Sequence, residues 1–98
     1  MPLSNSQNRY LRGLAHDQRT VIMLGAKGAT AAVVKELDLA LEQHELVKVK
    51  LSGGDKPGRQ LQLDALTSGT RAETVQQIGH VAVLFRRNID EPKIALPR

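Results

Sequence analysis

The chain has no cysteine, no tryptophan, one tyrosine and one phenylalanine in 98 residues. The missing cysteine excludes disulfides, cysteine nucleophiles and thiolate metal sites. It fits a reducing compartment, and a cytoplasmic location is expected. With Tyr10 and Phe85 as the only rings, no aromatic platform for stacking a run of bases can be built. No apolar run approaches the length of a membrane span. The opening Met1-Pro2-Leu3-Ser4 lacks a charged region followed by an apolar one, so it is not expected to be a secretory leader. His16, His44 and His80 fall in three separate elements and show no metal-ligand spacing. No serine stands in a G-x-S-x-G context. Neither a metal, a cofactor nor a catalytic set is expected.

What the chain does have is basic charge, unevenly placed. Fourteen Lys and Arg against ten Asp and Glu give +4 and a pI near 9.9, a weak indication of an anionic partner. The distribution says more. Arg9, Arg12, Arg19, Lys27 and Lys35 face one acid, Asp17, before residue 36. Glu36, Asp38, Glu42 and Glu45 then follow without a basic residue. Beyond them the chain turns basic again. One positive and one negative face are expected.

Length and 41% hydrophobic content suit one domain over 1–98 with a modest core. Ser4-Asn5-Ser6-Gln7 has capping-box spacing, and predicts a helix from Ser4 to His16 with Arg9, Arg12 and His16 along one stripe. Val21–Leu24 reads as a short strand buried on both faces. Thr30 is a fitting N-cap for a helix over Ala31–His44, whose period leaves Leu39 on the wet side. Leu46–Leu51 alternates, so Val47, Val49 and Leu51 face inward while Lys48 and Lys50 form a basic outer face. Ser52–Gly58, with three glycines and Pro57, reads as a mobile loop. A third helix is predicted over Lys56–Ser68, with Leu61, Leu63, Ala65 and Leu66 as its apolar content. Glu73–Ile78 and Val81–Arg86 read as strands joined by a two-residue Gly79-His80 turn. A polar tail, 87–98, carries Ile94-Ala95-Leu96, which can dock on the body. The order α-β-α-β-α-β-β implies an α/β fold with a four-stranded mixed sheet.

Gly25-Ala26-Lys27-Gly28 stands between a strand and a helix. Glycine at both ends permits a sharp turn and close approach of another backbone. Free N–H groups at a helix start favour an anion, and GxxG loops of KH domains hold a nucleic-acid backbone this way. On spacing alone, a turn needing glycine only for geometry is the commoner explanation. Likewise, the Arg9–Arg12–His16 stripe alone is a solvated helix face, and Lys48 and Lys50 alone are a device against sheet association. The sign agreement of helix 1, the GxxG loop, the second strand and Arg86-Arg87 is what solvated faces do not predict.

These residues also resemble a family. Arg9-Tyr10-Leu11-Arg12-Gly13-Leu14-Ala15-His16, the GAKG loop, Val33–Asp38, His44–Lys50, Val75–Gly79 and Val83–Arg86 are similar to the CRM domain (chloroplast RNA splicing and ribosome maturation). The ending Lys93-Ile94-Ala95-Leu96-Pro97 resembles that of its bacterial stand-alone members, the YhbY-like proteins. The resemblance spans nearly the whole chain. It implies a compact fold similar to the C-terminal domain of translation initiation factor 3, and RNA binding without catalysis. Bacterial members of the family are associated with precursors of the large ribosomal subunit, plant organelle members with group II intron splicing. A free-standing domain fits the former, so large-subunit precursor rRNA and ribosomal particles are the expected partners. Gly25 and Gly28 match the family's loop, with Lys27 inside it. Gly25, Ala26, Lys27 and Gly28 are expected to clamp backbone phosphate, and Arg9, Arg12, Lys48 and Lys50 to supply surrounding charge if the fold brings them to one side, with Arg86 a lesser candidate. Two departures stand out. Arg71 occupies a place often held by glycine, so the third helix is expected to end at Gly69 rather than strain an arginine. His80 replaces a usual basic residue in the hairpin.

Two rival readings differ in class. A protein-interaction adaptor on ribosomal particles would use Leu39 and the acidic helix end. A small enzyme on phosphorylated substrates would need a base or metal that the sequence does not supply. Charge alone does not separate RNA from DNA.

Overall fold

Ser4 opens the first helix as its spacing predicts. In the computed structural model, which describes residues 3–98, the Ser4 hydroxyl accepts from the Gln7 amide and the Gln7 side chain accepts from the Ser4 amide. Both partners of a capping box are therefore in place, and helix α1 runs Asn5–His16. Met1 and Pro2, part of the opening read above for a leader, lie outside the described residues.

The other elements follow in the expected order: β1 Ile22–Met23, α2 Ala31–His44, β2 Leu46–Lys50, α3 Lys56–Thr70, β3 Glu73–Ile78 and β4 Val81–Phe85. They build one four-stranded mixed sheet in the order β1-β2-β4-β3. The β1–β2 pair is parallel and the other two pairs are antiparallel.

The sheet is covered unequally. On one face Val47, Val49 and Leu51 meet Leu37 and Leu41 of α2 and Leu63 and Leu66 of α3. On the other, Leu46, Val83 and Phe85 meet Leu11 and Ala15 of α1, with Ile94 and Leu96 of the tail packed beside them. The tail docks as its apolar triplet allows. A bulge between Thr74 and Gln76 lets Val75 join this second core. The Lys face of β2 is therefore only partly open, because α1 lies across its Leu46 end.

Four sequence expectations need correction. Val21–Leu24 is not buried on both faces: β1 is an edge strand of two residues, and Val21 and Met23 are 57% and 69% exposed, because α1 does not reach that far. Leu61 of α3 is 72% exposed and Ala65 is also exposed, so Leu63 and Leu66, with Thr70 at the helix end, form the buried stripe. The Ser52–Gly58 segment is not a free loop. The Gln62 carboxamide accepts from the Ser52 and Gly53 amides, and α3 begins inside the segment, capped by Asp55.

The fourth concerns the end of α3. The helix passes Gly69 and ends at Thr70, and Arg71 takes the left-handed conformation at φ 63°. Gly69 serves packing instead: a Cβ built there would lie 2.8 Å from Cγ1 of Val34, so the glycine sets how closely α3 approaches α2.

Candidate nucleic-acid interface

The GxxG loop begins two residues after Met23. The Gly28 amide donates to the Gly25 carbonyl at 3.0 Å, closing a tight turn with Ala26 and Lys27 at its tip. Gly28 has φ +72°, where a side chain is strained, and a Cβ there would approach the Gln62 carboxamide to 3.0 Å. Geometry thus requires this glycine twice. Gly25, Ala26 and Lys27 are exposed and Gly28 is buried. Among the described residues, neither the Ala26 nor the Lys27 amide finds an acceptor.

A brace that sequence reasoning missed holds the loop. The Ser52 hydroxyl donates to the Gly25 carbonyl at 2.7 Å and accepts from the Gln62 carboxamide at 2.9 Å. With its two other bonds to the Ser52 and Gly53 amides, Gln62 ties α3 to the GxxG turn. A serine after a strand and a glutamine on a helix ten residues later carry no signal in the sequence. Only parallel pairing of β1 with β2 brings them to the loop.

The same pairing collects the N-termini of two helices. α2 starts at Thr30, whose hydroxyl accepts from Val33, just past the loop. α3 starts at Asp55. Both macrodipoles put their positive ends at this edge of the molecule. The β3–β4 turn arrives there too, because the Leu51 amide donates to the His80 carbonyl. Between that turn and α3 lies a groove of about 440 Å³ lined by Lys56, Arg59, Gln60, Gln77 and Gly79. Lys56 and Arg59 are two further cations that their sequence context does not single out.

The anticipated site residues divide into two groups. Lys50 is exposed on β2 and pairs across the sheet with Met23 and Val81, beside the loop. The Lys48 ammonium donates to the Ala15 and Gln18 carbonyls at 3.3 Å each. It caps the end of α1 while remaining a positive charge on the same face. His16 and Lys48 line one groove, so the α1 stripe reaches this side. Arg12 lies one turn back along it, and Arg9 roughly 10 Å from His16 along the axis. Both are exposed. Among the described residues no ion pair involves Arg9, Arg12, Lys27, Lys48, Lys50, Lys56 or Arg59.

Arg86 departs from its anticipated role. It follows Phe85, which pairs with Leu46 at the other end of β2, roughly 17 Å along the strand from Val81. Its guanidinium donates to the Asp38 carboxylate, the Thr70 carbonyl, the Asp38 carbonyl and Glu42. Four acceptors and 20% side-chain exposure leave it no free edge for a ligand. It fastens the ends of α2 and α3 to β4.

The acidic helix end is only in part the open negative face anticipated: Glu36, Asp38 and Glu42 are exposed, and Glu45 is not. Glu45 is fully buried, and its carboxylate accepts from the Asn88, Lys93 and Ile94 amides at 2.6–2.7 Å. Asp38 and Glu42 hold Arg86. Leu39 is 57% exposed, as its period predicts. Among the described residues no group of three or more His, Asp or Glu comes together as a metal site would require. Among the described residues no helix is long and apolar enough to cross a membrane.

Comparison with known proteins agrees with this architecture. A family model described as the CRS1/YhbY (CRM) domain matches residues 3–86. An RNA-binding protein of Haemophilus influenzae is 47% identical over 96 residues, spanning 98% of this chain and 96% of that one. The "probable RNA-binding protein" YqeI of Bacillus subtilis is 32% identical over 95 residues, 97% and 99% of the two chains. The solution structure of a Staphylococcus aureus protein superposes with a TM-score of 0.82 at 33% identity, covering 98% of this chain and all of the other.

Proposed function

The chain belongs to the CRS1/YhbY (CRM) domain family, and from that premise we propose that it binds RNA without catalysing a reaction, as a cytoplasmic assembly factor on precursor rRNA of the large ribosomal subunit. One observation carries the reading: cations free of ion pairs gather where the GxxG turn and two helix N-termini meet. Phosphate supplies the matching charge. The amides of Ala26 and Lys27, without an acceptor among the described residues, can donate to a phosphate oxygen, and Lys27 adds its charge. Lys50, Lys48, Arg12 and Arg9 extend the positive surface away from the loop. Arg86 has no part in it. The relatives named for RNA binding support RNA over DNA as the polyanion.

The test is the salt dependence of binding to large-subunit precursor RNA. Neutralising about five phosphates gives a slope of log K against log salt of about −3.5 to −4.5. Lys27→Ala should flatten it by about one unit or less without moving the melting temperature. Gly28→Asp should lower affinity further, since it sets a carboxylate and a strained Cβ at the turn. A slope near zero, or unchanged binding by folded Gly28→Asp, removes the phosphate model. Sedimentation of a lysate at low salt checks the biological half: the protein should travel with large-subunit precursors, and salt or nuclease should release it.

A further inference from the structure

Beside the GxxG turn, the sheet face that carries α1 is left open. Met23 pairs with Lys50, Lys50 with Val81 and Val81 with Ile78. These four residues form one row across all four strands, and cross-strand partners share a face. The row spans roughly 14 Å, three interstrand spacings. Met23 and Ile78 at its ends are 69% and 68% exposed. Beneath it, His16, Lys48, Gln76, Ile78 and Val81 line a groove of about 240 Å³. No acidic side chain lines that groove.

The row does not resemble an ordinary solvated strand end. Two large apolar side chains lie open with a lysine and a valine between them, while the opposite sheet face is closed by α2 and α3. The groove runs from the end of α1 toward the row, and the row ends two residues before Gly25 on one strand and two before Ser52 on the next. Apolar surface with a cation set in it, and Lys48 and His16 in the groove beside it, suits one occupant: unpaired nucleotides, whose bases need a flat apolar rest and whose phosphates need positive charge. A four-stranded sheet face holds two or three bases in proteins that use aromatic rings there. Here methyl groups and a thioether take the place of rings, which makes the contact weaker per base and indifferent to sequence.

We propose that this row receives a short unpaired RNA segment continuing from the backbone held at the GxxG turn, so that the preferred RNA is a paired stem with a few unpaired nucleotides at its end. The proposal rests on the RNA-binding reading above and names the RNA class it implies. Glycine at the turn lets the backbone come close; Lys50 sits midway along the row to meet the next phosphates. The aromatic-poor sequence excluded a ring platform, and the fold supplies an aliphatic one.

The experiment compares two RNAs with the same stem, one blunt and one with three unpaired nucleotides, against the full chain and its Met23→Ser, Ile78→Ser double variant. Both positions are so exposed that the variant should keep its melting temperature. The overhang should tighten binding to the unaltered chain about fivefold, below what aromatic stacking gives. The double variant should lose that gain and bind the blunt stem as before. Equal affinity of the unaltered chain for both RNAs overturns the sheet-face proposal and leaves RNA binding standing. A gain that persists in the double variant overturns the location. Loss of ribosomal-particle association with the RNA gain intact assigns the row to a protein partner and overturns the RNA occupant. Failure to bind either RNA overturns the functional reading itself.

Discussion

The two ends of the sheet use the same residue types in opposite ways. At the end where β4 runs out, Arg86 meets Asp38 and Glu42, Arg87 donates to the Ile94 carbonyl, Lys93 pairs with Glu91, and Glu45 takes three tail amides. At the GxxG end, Lys27, Lys50, Lys56 and Arg59 are in no ion pair among the described residues. A net charge of +4 hides this division. Cations at the first end hold the fold together; cations at the second are left for a polyanion. The contrast separates stability from binding, and substitutions at either end should move one without the other.

The sharpest break should come at Glu45. Its carboxylate is fully buried and satisfies three tail amides. Glu45→Ala leaves those amides without a charged acceptor and undocks residues 88–96, so a loss of about 3 kcal/mol is expected. Urea unfolding should show it, and the tail should become the first site of proteolysis. RNA affinity measured below the melting transition should stay within about twofold. An unfolding midpoint close to that of the unaltered chain would contradict the anchoring role.

Arg86→Ala should follow, with a loss of about 1–2 kcal/mol. The pairs to Asp38 and Glu42 are half-exposed and contribute little through charge; the bonds to the Thr70 and Asp38 carbonyls carry most of the effect. The salt slope of RNA binding should not change. A slope reduced by one unit would return Arg86 to the interface and dissolve the contrast between the ends.

Gln62→Ala tests the opposite end. It removes the carboxamide that serves Ser52 and Gly53 and frees the GxxG turn to move. Ser52 is exposed and Gly53 only partly buried, so water can replace most of these bonds and the stability cost should be about 0.5–1 kcal/mol. The affinity cost should be larger in proportion, about threefold to tenfold, because a loosened turn must be ordered on binding. Equal affinity would mean that the turn needs no brace.

The fold was legible wherever a residue's role is local. Capping at Ser4 and Thr30, the alternation of Val47 and Val49, and the Gly79-His80 turn all came from spacing within one element. What depended on two elements meeting was not. Glu45 reads as one of four acids in a row, yet only the tail folding back gives its carboxylate three partners. Arg86 reads as a basic residue in a basic stretch, yet antiparallel pairing puts it beside Asp38 rather than Lys27. The GxxG turn was legible as a loop; its brace, the Lys56–Arg59 groove and the open row from Met23 to Ile78 were not. Periodicity reports which side of a strand faces inward, not whether a helix covers the other side.

The smallest expected effect sharpens the comparison from the tail end. Arg71 takes a left-handed conformation after α3, which costs an L-residue about 1 kcal/mol. Glycine pays no such penalty, but its greater freedom in the unfolded chain offsets part of the gain. Arg71→Gly should therefore stabilise by about 0.5 kcal/mol, a rise of a few degrees in melting temperature for a chain this short. The substitution also removes an exposed cation that has no ion pair among the described residues. Arg71 stands between Thr70, whose carbonyl Arg86 holds, and β3, whose first residue pairs with Phe85. It thus lies at the end of the molecule away from the GxxG turn. If the ends are divided as described, losing this charge leaves the salt slope and the affinity unchanged while the protein gains stability. A flatter slope would show that the RNA reaches around to the far end of α3, and that the positive surface is wider than the cluster at the turn.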